Sequence, residues 1–139
     1  MLARLRQVAR ELDLPFGERK MTFNSRLAQE LGKWAEDQDR GDAFHHAVFL
    51  AYFQRGENIA HQPVLLQLCE TAGLDPTAAQ AVMDQRSYRE AVDQDWHRSR
   101  RLGVTAVPTF DLNGQRLVGA QSYAALEEMA LSAGAVRRR

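Results

Sequence analysis

A single cysteine, Cys69, stands in these 139 residues. That excludes an intramolecular disulfide, a Cys-x-x-Cys dithiol and any zinc cluster built on cysteines. Lysine is nearly missing as well. Lys20 and Lys33 are the only two among 18 basic residues, and the rest are arginine. Acidic residues also number 18, so the formal net charge is zero and no global field draws in nucleic acid or an anionic membrane. No apolar run approaches the roughly 18 residues of a membrane-spanning helix. The opening Met-Leu-Ala-Arg-Leu-Arg-Gln-Val has neither the apolar core nor the small-residue cleavage site of a secretion signal. The expectation is a cytoplasmic protein with no nucleic-acid or membrane partner and no cofactor.

What is present is an ordinary globular composition, 45% hydrophobic and 26% charged, in a length suited to one domain. Leu2, Leu5, Val8 and Leu12 recur at spacings of three and four and predict a short amphipathic helix over 2–13, broken by Leu14-Pro15-Phe16-Gly17. Asn24 or Ser25 caps a second helix with Leu27, Leu31 and Trp34 on one face. Asp37 to Asp42 reads as a polar turn, and Phe44, Val48, Ala51 and Tyr52 mark the next helix. Pro63 opens a helix carrying Leu65, Leu68, Cys69 and Ala72, which Gly73 closes. Asp75-Pro76 caps and opens another with Ala79 and Val82. Tyr88, Ala91, Val92, Asp95, Ser99 and Leu102 trace a long helix ending at Gly103.

The period then changes from helical to strand-like. Pro108 to Leu112 and Gln115 to Val118 read as two strands joined by Asn113-Gly114, a pair suited to a tight hairpin because both positions need positive φ. Ser122 caps a last helix with Tyr123, Leu126, Met129 and Ala130. The fold class is thus mostly α, with a C-terminal β-hairpin and helix. A two-stranded hairpin is marginal alone in water, and an unpaired edge invites association. The pattern therefore asks for further strands or for another chain.

Other residues carry weaker signals. His45 and His46 are adjacent and cannot share one helical face as a metal pair would, and His61 and His97 stand alone, so no metal site is expected. Asp93 and Asp95 diverge on a helix, and capping or salt-bridging with Arg98, Arg100 and Arg101 is the plainer role. Phe44, Phe49, Tyr52 and Phe53 read as core, with one side left for a groove or a partner because the cluster wraps around its helix. Cys69, mid-helix beside Leu65 and Leu68, reads as a buried, inert thiol.

Gly103-Val104-Thr105-Ala106-Val107-Pro108-Thr109-Phe110, the hairpin and Gly119-Ala120-Gln121 resemble the closing strand-strand-helix of the DsbA-like thioredoxin family. Asn24 to Ala28, Phe44 to Phe53 and Gly73-Leu74-Asp75 are similar to the helical insertion of its cytosolic FrnE-like branch. The resemblance implies an incomplete thioredoxin-like (DsbA-type) α/β fold. Residues 1–19 would be the helix that follows the second strand, 20–103 the helical insertion domain, 104–133 the closing unit, and 134–139 a basic tail.

The family's first strand-helix-strand, with its Cys-x-x-Cys, has no counterpart, so the chain looks like a member that begins partway through. A natural truncation, a fragment and a misplaced start are all open. The resemblance further implies Val107 as the backbone that docks an extended peptide or protein-thiol substrate, and Pro108 as a cis residue. A trans proline starting an edge strand is the plain alternative. No catalytic residue carries over, because dithiol exchange needs a low-pKa thiolate at a helix N-terminus and a resolving partner. The expected function is that of a thiol-disulfide oxidoreductase homologue, inactive alone. Its alternatives are a peptide-binding or homodimerising module that uses the open strand edge, and a glutathione-dependent transferase or isomerase relative on the same scaffold.

Overall fold

The computed structural model describes residues 2–137, with seven α-helices and one hairpin among them. The order is α1 (Leu2–Glu11), α2 (Arg26–Asp37), α3 (Gly41–Phe49), α4 (Gln62–Thr71), α5 (Pro76–Gln85), α6 (Arg89–Arg101), β1 (Thr109–Leu112), β2 (Gln115–Val118) and α7 (Tyr123–Ser132). The chain divides into two compact units, Met1–Gln94 and Asp95–Arg139, the division falling within α6. The expected mostly α class with a C-terminal hairpin and helix is what the chain adopts.

In the first unit, α2 packs on α3 and α5, and α4 packs on the same two helices. Their shared core includes Leu31, Trp34, Phe44, Leu65, Leu68 and Met83. The caps are local and readable. Asn24 Oδ1 accepts from Arg26 N–H at 2.8 Å at the start of α2. Asp75 Oδ1 accepts from Thr77 N–H at 2.9 Å at the start of α5, where Pro76 occupies the first turn. Gly73 has φ +76°, the left-handed conformation that glycine adopts without penalty.

Three details depart from the sequence reading. The turn between α2 and α3 is shorter than 37–42, because α3 already begins at Gly41 and Asp39 alone takes a positive φ, +56°. After α3 the helix continues past Phe49 as a π-helical turn over Leu50–Gln54. In α1 only Ala9 is buried, and Leu5, Val8 and Leu12 stand exposed. The α1 stripe is therefore amphipathic as read but uncovered.

The second unit comprises the end of α6, the antiparallel hairpin and α7. The register pairs Thr109 with Val118, Phe110 with Leu117, Asp111 with Arg116 and Leu112 with Gln115. Asn113 and Gly114 have φ of +51° and +81°, as a two-residue hairpin turn demands. Ser122 caps α7 by accepting from Ala125 N–H at 3.3 Å. Arg137 Nε pairs with Glu127 Oε1 at 2.9 Å. The remainder of the basic tail, Arg138 and Arg139, lies outside the described residues. No helix among the described residues is long and apolar enough to cross a membrane.

Candidate functional site

The site that the sequence singles out lies in the second unit. Helix α6 ends at Arg101, and Gly103 (φ +70°) turns the chain away while Val104 N–H still donates to Ser99 C=O at 2.9 Å. The loop then runs to the Val107–Pro108 peptide bond, which is cis. Thr109 Oγ1 donates to Ala106 C=O at 2.6 Å across that bond, and Pro108 C=O accepts from Gly119 N–H at 2.8 Å. Pro108 is thereby fixed to the far end of the hairpin on one side only.

Val107 is 86% exposed, and among the described residues no hydrogen bond reaches its backbone N–H or C=O. The next residues continue that unpaired edge. In an antiparallel pair, alternate residues turn their backbone groups toward the partner and away from it. Pro108 bonds across to Gly119, so the N–H and C=O of Thr109 and Asp111 face away from β2. The sheet has two strands, and this side of β1 is its open edge.

An ion pair supports the loop from beneath. Arg116 Nε and Nη2 hold Asp111 Oδ2 at 3.0 and 2.6 Å, directly across the strands, while Nη1 donates to Gly103 C=O at 3.2 Å. One guanidinium thus joins β1, β2 and the end of α6. A cleft of about 460 Å³ lies between β2 and α7, lined among others by Gln115, Leu117, Met129 and Ser132. Neither Val107 nor Pro108 lines it. What the loop offers is an extended backbone edge, suited to pairing with another extended strand.

The other singled-out residues lie in different surroundings. Cys69 is 0% exposed in the core of the first unit, and burial pushes its thiol up to about 12. Such a group is neither nucleophile nor metal ligand near neutral pH. His45 Nε2 lies 3.3 Å from Glu36 Oε1, and His46, His61 and His97 are exposed. Asp93 does bridge, but its partners are Arg26 (2.7 Å) and Arg89 (3.9 Å) rather than the arginines beyond it. Phe44 is core, whereas Phe49 and Phe53 are exposed.

Sequence reasoning passed over one cluster altogether. Glu30, 1% exposed, accepts from Arg26 Nε and from both Nε and Nη2 of Arg86, each at 2.7 Å. These contacts hold its carboxyl below the usual range, the Arg86 hydrogen bonds foremost, against the opposing effect of burial. The Arg26–Glu30 spacing of four was visible in the sequence; the third partner was not.

The uncharacterized protein YwbO of Bacillus subtilis (strain 168) is 32% identical over 95 residues, 68% of this chain and 48% of that protein. A crystal structure of a probable DsbA oxidoreductase from Streptomyces coelicolor matches with a TM-score of 0.79 at 23% identity, covering 94% of this chain and 58% of that one. That second likeness is one of fold, and the chain spans about half the length of the relatives it matches. The DSBA-like thioredoxin domain matches residues 1–130, so this chain belongs to the DsbA-like thioredoxin family, whose members include thiol-disulfide oxidoreductases.

Proposed function

We propose that the chain is the substrate-docking portion of a DsbA-type, FrnE-like thiol-disulfide oxidoreductase. It presents an extended polypeptide edge and supplies no dithiol of its own. The observation that carries this reading is the exposed, unbonded backbone of Val107 beside the open edge of β1. Pairing there needs only main-chain hydrogen bonds, which accept many peptide sequences. In this reading residues 1–19 follow the second strand of the thioredoxin fold, 20–103 form the helical insertion, and 104–133 close the sheet.

Chemistry limits what the chain does alone. Thiol-disulfide exchange begins with a thiolate attacking a sulfur, and Cys69 is the one sulfhydryl in the sequence and is buried. The purified chain is expected to reduce insulin no faster than buffer with the same reductant. Turnover above that background sinks the reading.

A second occupant of the same edge is another copy of the chain, because the outward N–H and C=O groups of Thr109 and Asp111 can pair with their counterparts across a two-fold axis. Sedimentation velocity at micromolar concentration tests it. A dimer dissociated by Thr109→Pro, which removes one outward N–H, supports strand-edge association; a folded monomer rejects it.

A further inference from the structure

The first unit contains a buried cation with no anion. Arg19 is 7% exposed, and its Nε and Nη1 have no hydrogen-bond partner. Its guanidinium carbon lies 3.7 Å from the centre of the Tyr52 ring, 5.4 Å from Phe53 and 5.9 Å from Phe16. Arg6 reinforces the positive charge. Its Nη2 donates to Arg19 C=O at 3.3 Å, while its own Nε is buried and unpartnered. Among the described residues no carboxylate pairs with either arginine. Glu30 in the same unit shows the contrast, since it takes three guanidinium N–H groups.

The local backbone is built to hold this arrangement. Gly17 N–H donates to Phe53 C=O at 2.8 Å. A Cβ on Gly17 would lie 2.5 Å from Gly56 N, and one on Gly56 would lie 2.6 Å from Glu18 C=O. Segment 16–19 is therefore pressed against the end of the π-helical turn, which carries Tyr52 and Phe53. Local π-helical turns within α-helices are frequent at functional sites. The rim of the box is apolar and open: Phe49 is 61% exposed and stacks on Phe53 with ring centres 5.5 Å apart.

Aromatic faces attract a guanidinium, yet they do not replace hydrogen-bond acceptors, and a buried charge without a counter-charge is costly. We propose that Arg19 and the Phe49–Phe53 stack form a docking site for an acidic side chain carried on an apolar stretch of a partner protein. Charge complementarity selects the carboxylate, since the buried Arg19 guanidinium has two N–H groups without an acceptor. The exposed rings select a polypeptide over a free anion, because apolar neighbours of the acid would cover Phe49 and Phe53. Phe53 is both wall and rim, so the carboxylate reaches Arg19 only where that ring turns aside. The site lies wholly in the first unit.

The test is a titration of the ¹⁵N-labelled chain with blocked tripeptides, Leu-Glu-Leu and Phe-Glu-Leu, against their Gln counterparts and against acetate. The arginine Nε–H signals and the Phe ring signals are followed. The expected result is a saturable shift of the Arg19 Nε–H with the Glu peptides, at least tenfold weaker with the Gln peptides and with acetate. Arg19→Lys, which removes that reporter, is expected to abolish the accompanying shifts of the Phe ring signals. Phe49→Ala, at an exposed position and with its fold checked by circular dichroism, is expected to weaken the response at least fivefold. Equal response to Glu and Gln peptides, equal response to acetate, or no movement of the Arg19 signal overturns the proposal. So does binding to phosphatidylserine vesicles that depends on Arg19 and Phe49 without any peptide response, which would identify a lipid surface instead.

Discussion

Arg86 sits in a left-handed conformation at the C-terminus of α5 (φ +53°) and delivers Nε and Nη2 to the two carboxylate oxygens of Glu30, 56 residues earlier, at 2.7 Å each. The backbone and the side chain serve one purpose. The left-handed cap ends α5, and the guanidinium then ties that end to α2. Arg26 completes the cluster from α2 itself and also reaches Asp93 and the C=O of Arg89 in α6. Charged residues thus connect α2, α5 and α6.

Removing Arg86 leaves Glu30 buried with one arginine instead of two. Arg86→Ala is expected to cost about 1–2 kcal/mol in urea unfolding, the lower part of the range for hydrogen bonds to a charged group because Arg86 is itself partly exposed. The pH profile separates this from a generic packing loss. Glu30 has its folded pKa below the ordinary 4.5, so its contribution is fully present above that value and is lost as pH falls through the folded pKa. The stability gap between the native chain and Arg86→Ala should therefore be constant at neutral pH and narrow below about pH 4.5. Parallel profiles down to acid unfolding would show that the hydrogen bonds contribute nothing.

Cys69 should be invisible to thiol reagents in the folded chain. With the thiol raised to about 12, only about one in ten thousand molecules carries a thiolate at pH 8, and the sulfur is covered besides. Ellman's reagent is expected to react at the rate of unfolding and to complete its reaction at once in denaturant. Rapid labelling without denaturant would contradict the burial.

Two glycines should respond unequally to alanine. At Gly114 a Cβ meets nothing within 4 Å, so only the positive φ matters, and Gly114→Ala should cost about 1 kcal/mol. At Gly17 a Cβ would strike the backbone of Gly56, Arg55 and Gln54. Backbone cannot turn aside as a side-chain tip can, so Gly17→Ala should cost about 3 kcal/mol or more. Thermal unfolding of the two variants under one set of conditions decides the order.

Features set by neighbours in sequence were legible. Asp75 and Ser122 cap the helices they were expected to cap, α2 starts after Ser25 with Asn24 taking the Arg26 N–H, Gly73 and Gly103 terminate their helices, and Asn113-Gly114 fixes a register that pairs Asp111 with Arg116. Cys69 falls among leucines in the chain and in the core alike. What stayed hidden depends on distant partners. Glu30 looks like a surface residue until Arg86 arrives from another helix, and no local signal places a left-handed arginine there. Arg19 reads as one more solvated arginine in an arginine-rich chain. Its burial needs the close backbone approach at Gly17 and Gly56, and the π-helical turn that brings Tyr52 over it. In the candidate site, Val107-Pro108 stands out in the sequence by its motif, whereas the contact of Arg116 with Asp111 and Gly103 needs the hairpin to be folded.

That support can be tested separately from stability. Arg116 holds Asp111 and the Gly103 carbonyl at once, but it is a partly exposed ion pair, so Arg116→Ala should cost under about 1 kcal/mol overall. Its effect should be local. Without the Nη1 hydrogen bond to Gly103, the loop from Gly103 to Pro108 loses a contact that links it to β2, and low-stability segments open first. Amide exchange at Val104, which donates to Ser99 C=O, is therefore expected to quicken several-fold, while Leu31 and Leu68 in the first unit exchange as before. Arg116→Lys, which keeps the charge but cannot hold both acceptors through three coplanar N–H groups, should resemble the alanine variant. An unchanged Val104 rate in both would mean that the loop is held by its own turns, and that Arg116 serves the hairpin alone.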